Sequence, residues 1–202
     1  HRLKMSIESN YSENSFCYHD NFWDIPNNTN IHGYFQSEQY FMNVRDELLE
    51  QLTFKSEIIQ KAKNFISQTG ENVSAFIHIR RGDNVAHPDV HPLSCMSYIS
   101  KATTELKAQF PEIKFFVLTD DLVWSRKNLI GDEFIFSDNN HFIDLAIMTL
   151  CDHSIIANSS FSWWGAWLND NEEQIVYAPK VWFGPRGPSN WHSIYCKNWR
   201  VI

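Results

Sequence analysis

The sequence is poor in the features that mark several large classes of protein. In 202 residues no uninterrupted apolar run approaches the ~20 that a membrane-spanning helix needs. The opening stretch, HRLKMSIESN, lacks the apolar core of a secretory signal, so a soluble chain without an export signal is expected. An excess of positive charge is missing too. The formal net charge is -7, which argues against a protein that coats nucleic acid by bulk electrostatics and leaves any anion to be met by a few placed residues. Cys17, Cys95, Cys151 and Cys196 are scattered without a C-x-x-C pair, so spacing suggests neither a zinc site nor a disulfide framework, and reduced thiols are expected. The N-x-S/T triplets headed by Asn10, Asn27, Asn72 and Asn158 matter only in a secreted eukaryotic protein and carry little weight.

What is present is an ordinary globular composition, long enough for one core, with an alternating pattern. Residues 1 to 33 mix Asn, Ser, His and aromatics without a period, and DIPNNTNIHG carries turn residues. From Ser37 to Leu52, Tyr40, Phe41, Val44, Leu48 and Leu49 recur at helical spacing, and Ile58, Ile59, Ala62, Phe65 and Ile66 repeat the pattern. Short apolar runs follow at 73–79, 114–119, 133–136, 154–158 and 174–178, separated by candidate helices at 94–109, 121–129, 141–152 and 161–169. This β-α alternation predicts a Rossmann-like α/β domain, a parallel sheet with helices on both faces, over roughly 72–180. The tail from Val181 onward, rich in Trp, Pro and Gly, is expected to pack across it as an ordered loop.

In open α/β sheets ligands bind beyond the carboxyl ends of the strands, which directs attention to the residues after each apolar run. The first run climbs directly into HIRRGD, residues 78 to 83. Two adjacent arginines cannot be buried without partners, and an arginine fork suits a diphosphate. Consecutive residues on an extended chain point to opposite sides, so Arg80 is assigned to a ligand and Arg81 to a structural ion pair with Asp83 or another carboxylate. After the second run, Asp120 and Asp121 leave three readings open: a divalent metal, a base or ribose contact, or a helix cap, with no third acidic ligand nearby to favour the metal. After the third, Asp144 sits at a helix start, where a structural role is favoured. After the fourth, Asn158, Ser159, Ser160 and Ser162 stand where a strand gives way to a helix, a phosphate cradle without a Walker lysine.

HIRRGD resembles the H-x-R-R-x-D motif shared by α1,2-, α1,6- and protein O-fucosyltransferases, and DLAIMTLCDHSIIANSSFSWWGAWLN closely resembles the late block of glycosyltransferase family 11, the α1,2-fucosyltransferases. VLTDDLVWSRKNL and IHGYFQSEQYF resemble other segments of that family, so that the likeness covers about residues 31 to 184. It implies an inverting, metal-independent transfer of L-fucose from GDP-fucose to the 2-hydroxyl of a galactose-type acceptor, an oligosaccharide or glycolipid, on one lobe of a GT-B fold. By position it implies Arg80 on the β-phosphate, His78 and Asp120 on the nucleoside, and Asn158, Ser159, Ser160 and Ser162 around the diphosphate, with no metal and no nucleic acid. Asp83 is the candidate general base. A cytoplasmic location is implied, with peripheral contact to the membrane where glycans are assembled as an open alternative.

Family members carry a block like GGLGNQMFQ in an amino-terminal lobe, and no stretch here resembles it; the chain also starts at His1 rather than Met. Residues 1–71 are accordingly expected to be a remnant of, or link to, such a lobe, and residues 72–202 a GDP-fucose-binding domain with an aromatic tail. A rival class is a GDP-sugar-binding or lectin-like module without catalysis, stacking sugars on Trp163, Trp164, Trp167, Trp182 and Trp191. The helical spacing of FSWWGAWL places most of those rings in a core instead.

Overall fold

The computed structural model describes residues 7–202; the first six residues of the opening stretch, and of the segment expected to link to another lobe, lie outside the described residues. A parallel pair of short strands, β1 (Ser9–Ser12) and β2 (Thr29–His32), comes first. Short 3-10 helices at Glu38–Tyr40 and Met42–Val44 lead into α1 (Arg45–Gln51), and α2 (Ser56–Ile66) follows. The sheet then alternates with helices: β3 (Ser74–Ile79), α3 (Met96–Gln109), β4 (Lys114–Thr119), α4 (Leu122–Asn128), β5 (Phe134–Phe136), α5 (His141–Leu150), β6 (His153–Ile155), α6 (Ser160–Trp167), β7 (Val176–Ala178) and β8 (Arg200–Val201).

The sheet is wholly parallel, in the order β5-β4-β3-β6-β7-β8. Every residue of β3 is buried, as expected of a central strand covered on both faces. Alternation then sorts its side chains. Ala75, Ile77 and Ile79 face α3, meeting Tyr98, Ile99, Ala102 and Leu106, while Phe76 faces α2, α5 and α6, meeting Ala62, Ile147, Met148 and Trp163. Gly165 lets α5 and α6 approach closely, since a Cβ there would lie 2.6 Å from Cβ of Met148. Thus α2, from the segment expected to link to another lobe, shares the core of the sheet.

Each predicted strand and sheet helix is present, with ends moved by a few residues. Two expectations differ. The Ser37–Leu52 helix breaks into two 3-10 turns and the single α1, because Phe41 leaves helical geometry (φ -146°, ψ 4°) to seat its ring on Trp163, Trp164 and Trp167. The tail does not stay a loop to its end: Arg200–Val201 adds β8 beside β7. Before that it is tied down by Trp163 Nε1 donating to the Ile194 carbonyl (2.6 Å) and Tyr195 hydroxyl donating to that of Pro179. Among the described residues, no helix is long and apolar enough to cross a membrane.

Candidate functional site

Chain order reverses between β3 and β6, the switch point where an open α/β sheet leaves a crevice beyond its strand ends. A cleft of about 680 Å³ occupies that place. The ends of β3 and β4, the starts of α5 and α6, and the loops around Gln36, His91 and Phe183 line it.

The two arginines part as the pleat demands. Arg80 enters the cleft, its Nη1 donating to Asp120 Oδ2 and its Nη2 to Asp83 Oδ1, each at 2.5 Å. Arg81 turns to the other side, where Nε donates to Asp121 Oδ2 (3.1 Å) and the guanidinium lies 4.1 Å from the centre of the Trp124 ring. The structural ion pair of Arg81 is therefore with Asp121, and Asp83 pairs with Arg80 instead. Asp120 braces the turn further, accepting the backbone N–H of Arg81 at 2.8 Å. A Cβ at position 82 would sit 2.6 Å from Asp120 Oδ2, so any larger residue there would push on the carboxylate that Arg80 holds.

Of the two acidic residues after β4, Asp121 is the helix cap: its Oδ1 accepts the N–H of Trp124 (3.0 Å). That hydrogen bond, and then Arg81, hold its carboxyl below the ordinary range. Asp120 faces the cleft with Arg80. Among the described residues no group of three or more His, Cys, Asp or Glu is placed to hold a metal ion.

His78 reaches the cleft from the α6 side of β3, near the Phe161 ring. It is only 6% exposed and its Nδ1 has no hydrogen-bond partner. Burial lowers its pKa to about 4 against the opposing pull of Asp120, with Arg80 adding to the decrease, so the ring is neutral near pH 7.

Across the cleft, Ser159 and Ser160 begin α6, and the Ser159 side chain makes no capping bond. The first N–H groups of a helix have no partner within it, so this end can accept an anion. Asn158 lines the cleft, but its amide nitrogen is spent holding two loops, on the carbonyls of Pro92 (2.9 Å) and Trp182 (3.1 Å). Ser162 departs from expectation. It is fully buried, accepts the N–H of Ala157 at 3.2 Å and braces the turn from within, because one helical step past Phe161 carries its side chain into the core.

Asp144, expected to be structural, also lines the cleft. Burial raises its pKa to about 6, opposed by the hydroxyl of Ser137, which donates to Oδ1 at 2.6 Å, and reinforced by Asp138. Asn140 caps α5 in its place, accepting the N–H groups of Phe142 and Ile143. Gln36, His91, Asn139 and Phe183, which come from loops, and Phe161, in the first turn of α6, were not singled out by sequence reasoning, because no local pattern marks a cleft wall. Of the five tryptophans offered for sugar stacking, Trp163, Trp167 and Trp182 are buried in the core.

Comparison with known proteins agrees with this architecture. The model of glycosyl transferase family 11 matches residues 2–202. An alpha-1,2-colitosyltransferase from Escherichia coli is 34% identical over 160 residues, which span 75% of this chain and 55% of that protein. A galactoside alpha-(1,2)-fucosyltransferase 2 from Bos taurus is 27% identical over 176 residues, spanning 77% of this chain and 51% of that one. The chain thus spans about half the length of the curated relatives it matches. Among solved structures, POFUT1 in complex with GDP aligns with a TM-score of 0.52 at 17% identity, covering 67% of this chain and 49% of that chain, a likeness of fold.

Proposed function

The chain belongs to glycosyl transferase family 11, and from that premise we propose that it carries the donor site of an inverting galactoside α1,2-fucosyltransferase using GDP-fucose. One observation carries the reading: a cationic fork at the end of β3 and a helix start without a side-chain cap, at α6, face one cleft at the switch point of the sheet. Together they make a two-sided diphosphate site. The GDP bound to POFUT1 and the names of the family relatives support a nucleoside diphosphate sugar as its occupant.

In this reading the acceptor 2-hydroxyl oxygen attacks C1 of fucose from the face opposite GDP, a new C–O bond forms, the bond from C1 to the β-phosphate oxygen breaks, and GDP leaves with the electron pair. Arg80 meets the negative charge as it grows on the β-phosphate, and the first N–H groups of α6, with Ser159 and Ser160, hold the rest of the diphosphate. These donors do the neutralising that a divalent cation does at other diphosphate sites, so no metal is needed. His78, neutral and with a free ring nitrogen, and Asp120 hold the nucleoside. Asp144, at the β4–β5 end of the cleft, offers a carboxylate to the two donors on the edge of guanine.

Asp83 is the base in this scheme. Its side chain is 74% exposed and hydrogen-bonded to Arg80, so a diphosphate that takes over the Arg80 fork frees it to receive the acceptor proton. Nothing in the reading calls for contact with a membrane.

Calorimetric titration with GDP and GDP-fucose, with and without EDTA, beside Arg80→Ala, tests the proposal. Binding that ignores EDTA and collapses in the variant is the expected result; a folded chain that binds neither ligand overturns it. A second donor, GDP-colitose, is favoured by one observation, the name of the relative that is 34% identical. Titration with both sugars decides between them.

A further inference from the structure

A second, smaller cavity of about 250 Å³ opens beside the start of α6, and it meets the main cleft at Gln36 and Ser160, which line both. Its outer wall is the turn Gly33–Gln36, and that turn is built under constraint. Glu13 Oε2 accepts the N–H groups of Tyr34 (2.7 Å) and Phe35 (3.2 Å). A side chain at Gly33 would collide with Glu13, its Cβ lying 2.5 Å from that of Glu13. Phe35 adopts a φ of 49°, a left-handed conformation that is unfavourable for an aromatic residue by about 1 kcal/mol or more. Its ring, packed edge-on against Tyr40, anchors the strained turn.

The constraint has a visible result. Tyr34 is turned out to 71% exposure with its ring laid on Phe16 (centroids 5.0 Å apart, 23° between planes), and Phe16 in turn packs on Phe183 of the cleft wall. Gln36 is turned in, and its side-chain Oε1 is enclosed without a hydrogen-bond partner. In the empty protein the turn thus leaves one face of an aromatic ring exposed and one enclosed amide oxygen without a partner. Both groups match one kind of ligand: a pyranose, whose axial C–H face stacks on an aromatic ring and whose hydroxyls satisfy a buried amide.

We propose that Tyr34 and Gln36 form the acceptor-sugar subsite, in which a galactose-type residue lies on the Tyr34 ring and bonds to Gln36 through a ring hydroxyl. Seated there, the sugar reaches the junction at Gln36 and Ser160, where the smaller cavity opens into the main cleft. This inference rests on the transferase reading for the identity of the sugar, and on the geometry of the turn for its place.

The test is saturation-transfer NMR with lactose on the chain saturated with GDP, alongside calorimetry of GDP itself. Transfer to the galactose protons is expected, with lactose binding about tenfold weaker in Tyr34→Ala and in Gln36→Ala and retained in Tyr34→Phe. GDP affinity should stay within about twofold in all three. Lactose binding unchanged in Tyr34→Ala, or absent from a chain that binds GDP, overturns the subsite. If GDP fails to bind while lactose binding still depends on Tyr34, the sugar subsite stands and the transferase reading falls. Near-ultraviolet circular dichroism of each variant separates loss of the site from loss of the fold, and Tyr34→Phe, which keeps the packing on Phe16, guards against the latter.

Discussion

The β4–α4 turn and the β6–α6 turn occupy equivalent places, each where a parallel strand hands over to a helix, yet one is closed upon itself and the other is open. At the first, Asp121 caps the helix and pairs with Arg81, which covers Trp124, so the cap and its countercharge are satisfied without a ligand. At the second, Ser159 provides no side-chain cap, Ser160 is exposed, and the facing cation, Arg80, is shared by two carboxylates that an anion can displace. Local chemistry that satisfies itself stabilises the fold; local chemistry left unsatisfied at a switch point is where a ligand belongs.

The sharpest way to break this comparison is to exchange the roles of the two arginines. Arg80→Ala should weaken GDP binding by about 100-fold, the effect of losing a charge-assisted fork on a diphosphate, of order 3 kcal/mol. Arg81→Ala should leave GDP affinity within a few-fold while lowering the melting temperature, because it strips the closed turn. Calorimetry and thermal melts on the pair check both arms; equal losses of GDP affinity would erase the distinction between the turns.

His78 extends the contrast to pH. Its folded pKa is about 4 against 6.5 in the unfolded chain, so between those values the unfolded state binds more protons and stability rises with pH. The contribution is complete above pH 6.5 and is lost as pH falls toward 4, an effect of about 3 kcal/mol. Replacing His78 with Phe should flatten that acid limb in melts taken across the interval.

Asp144 works with the opposite sign. Its folded pKa, about 6 against 3.8, means that the native state holds the extra proton, so its ionisation lowers stability as pH rises from about 4 to 6. A ligand that donates to the carboxylate needs it ionised. Guanosine, free of the titrating phosphate, should therefore bind about tenfold more weakly at about pH 5 than at about pH 7.5, and Asp144→Asn should remove most of that dependence.

How much of this could be read beforehand follows from where the information lies. β3 and β4 were legible almost to the residue because strands buried on both faces are apolar throughout, and turn residues bound them. β8, with two residues, and β1 and β2, polar and largely exposed, carry no such pattern. Arg80 and Arg81 could be told apart from the pleat alone, and Asn158 to Ser160 from the strand-to-helix break. By contrast, which of Asp120 and Asp121 caps α4, the burial of Ser162, and the arrival of Gln36, His91 and Phe183 at the cleft depend on how distant segments pack. Asp144 was visible as a helix-start carboxylate, and only the neighbouring strand ends reveal that it looks into the cleft.

The smallest expected effect is also the most direct measure of what it means for a turn to be closed. Asp121→Ala removes the α4 cap and should cost about 1 kcal/mol of stability with little change in GDP affinity. Ser159→Ala, at the same topological place, removes a side chain that caps nothing, so stability should change by less than about 0.5 kcal/mol while GDP binding weakens. The two substitutions delete the N-cap side chain at matching places in the sheet, one of which the protein already uses and the other of which it does not. Chemical denaturation and GDP titration on both variants should show the losses crossed, stability at one turn and affinity at the other. If Ser159→Ala instead destabilised the fold and spared GDP binding, the start of α6 would be a structural joint like that of α4, and the diphosphate would have to be held from the Arg80 side alone.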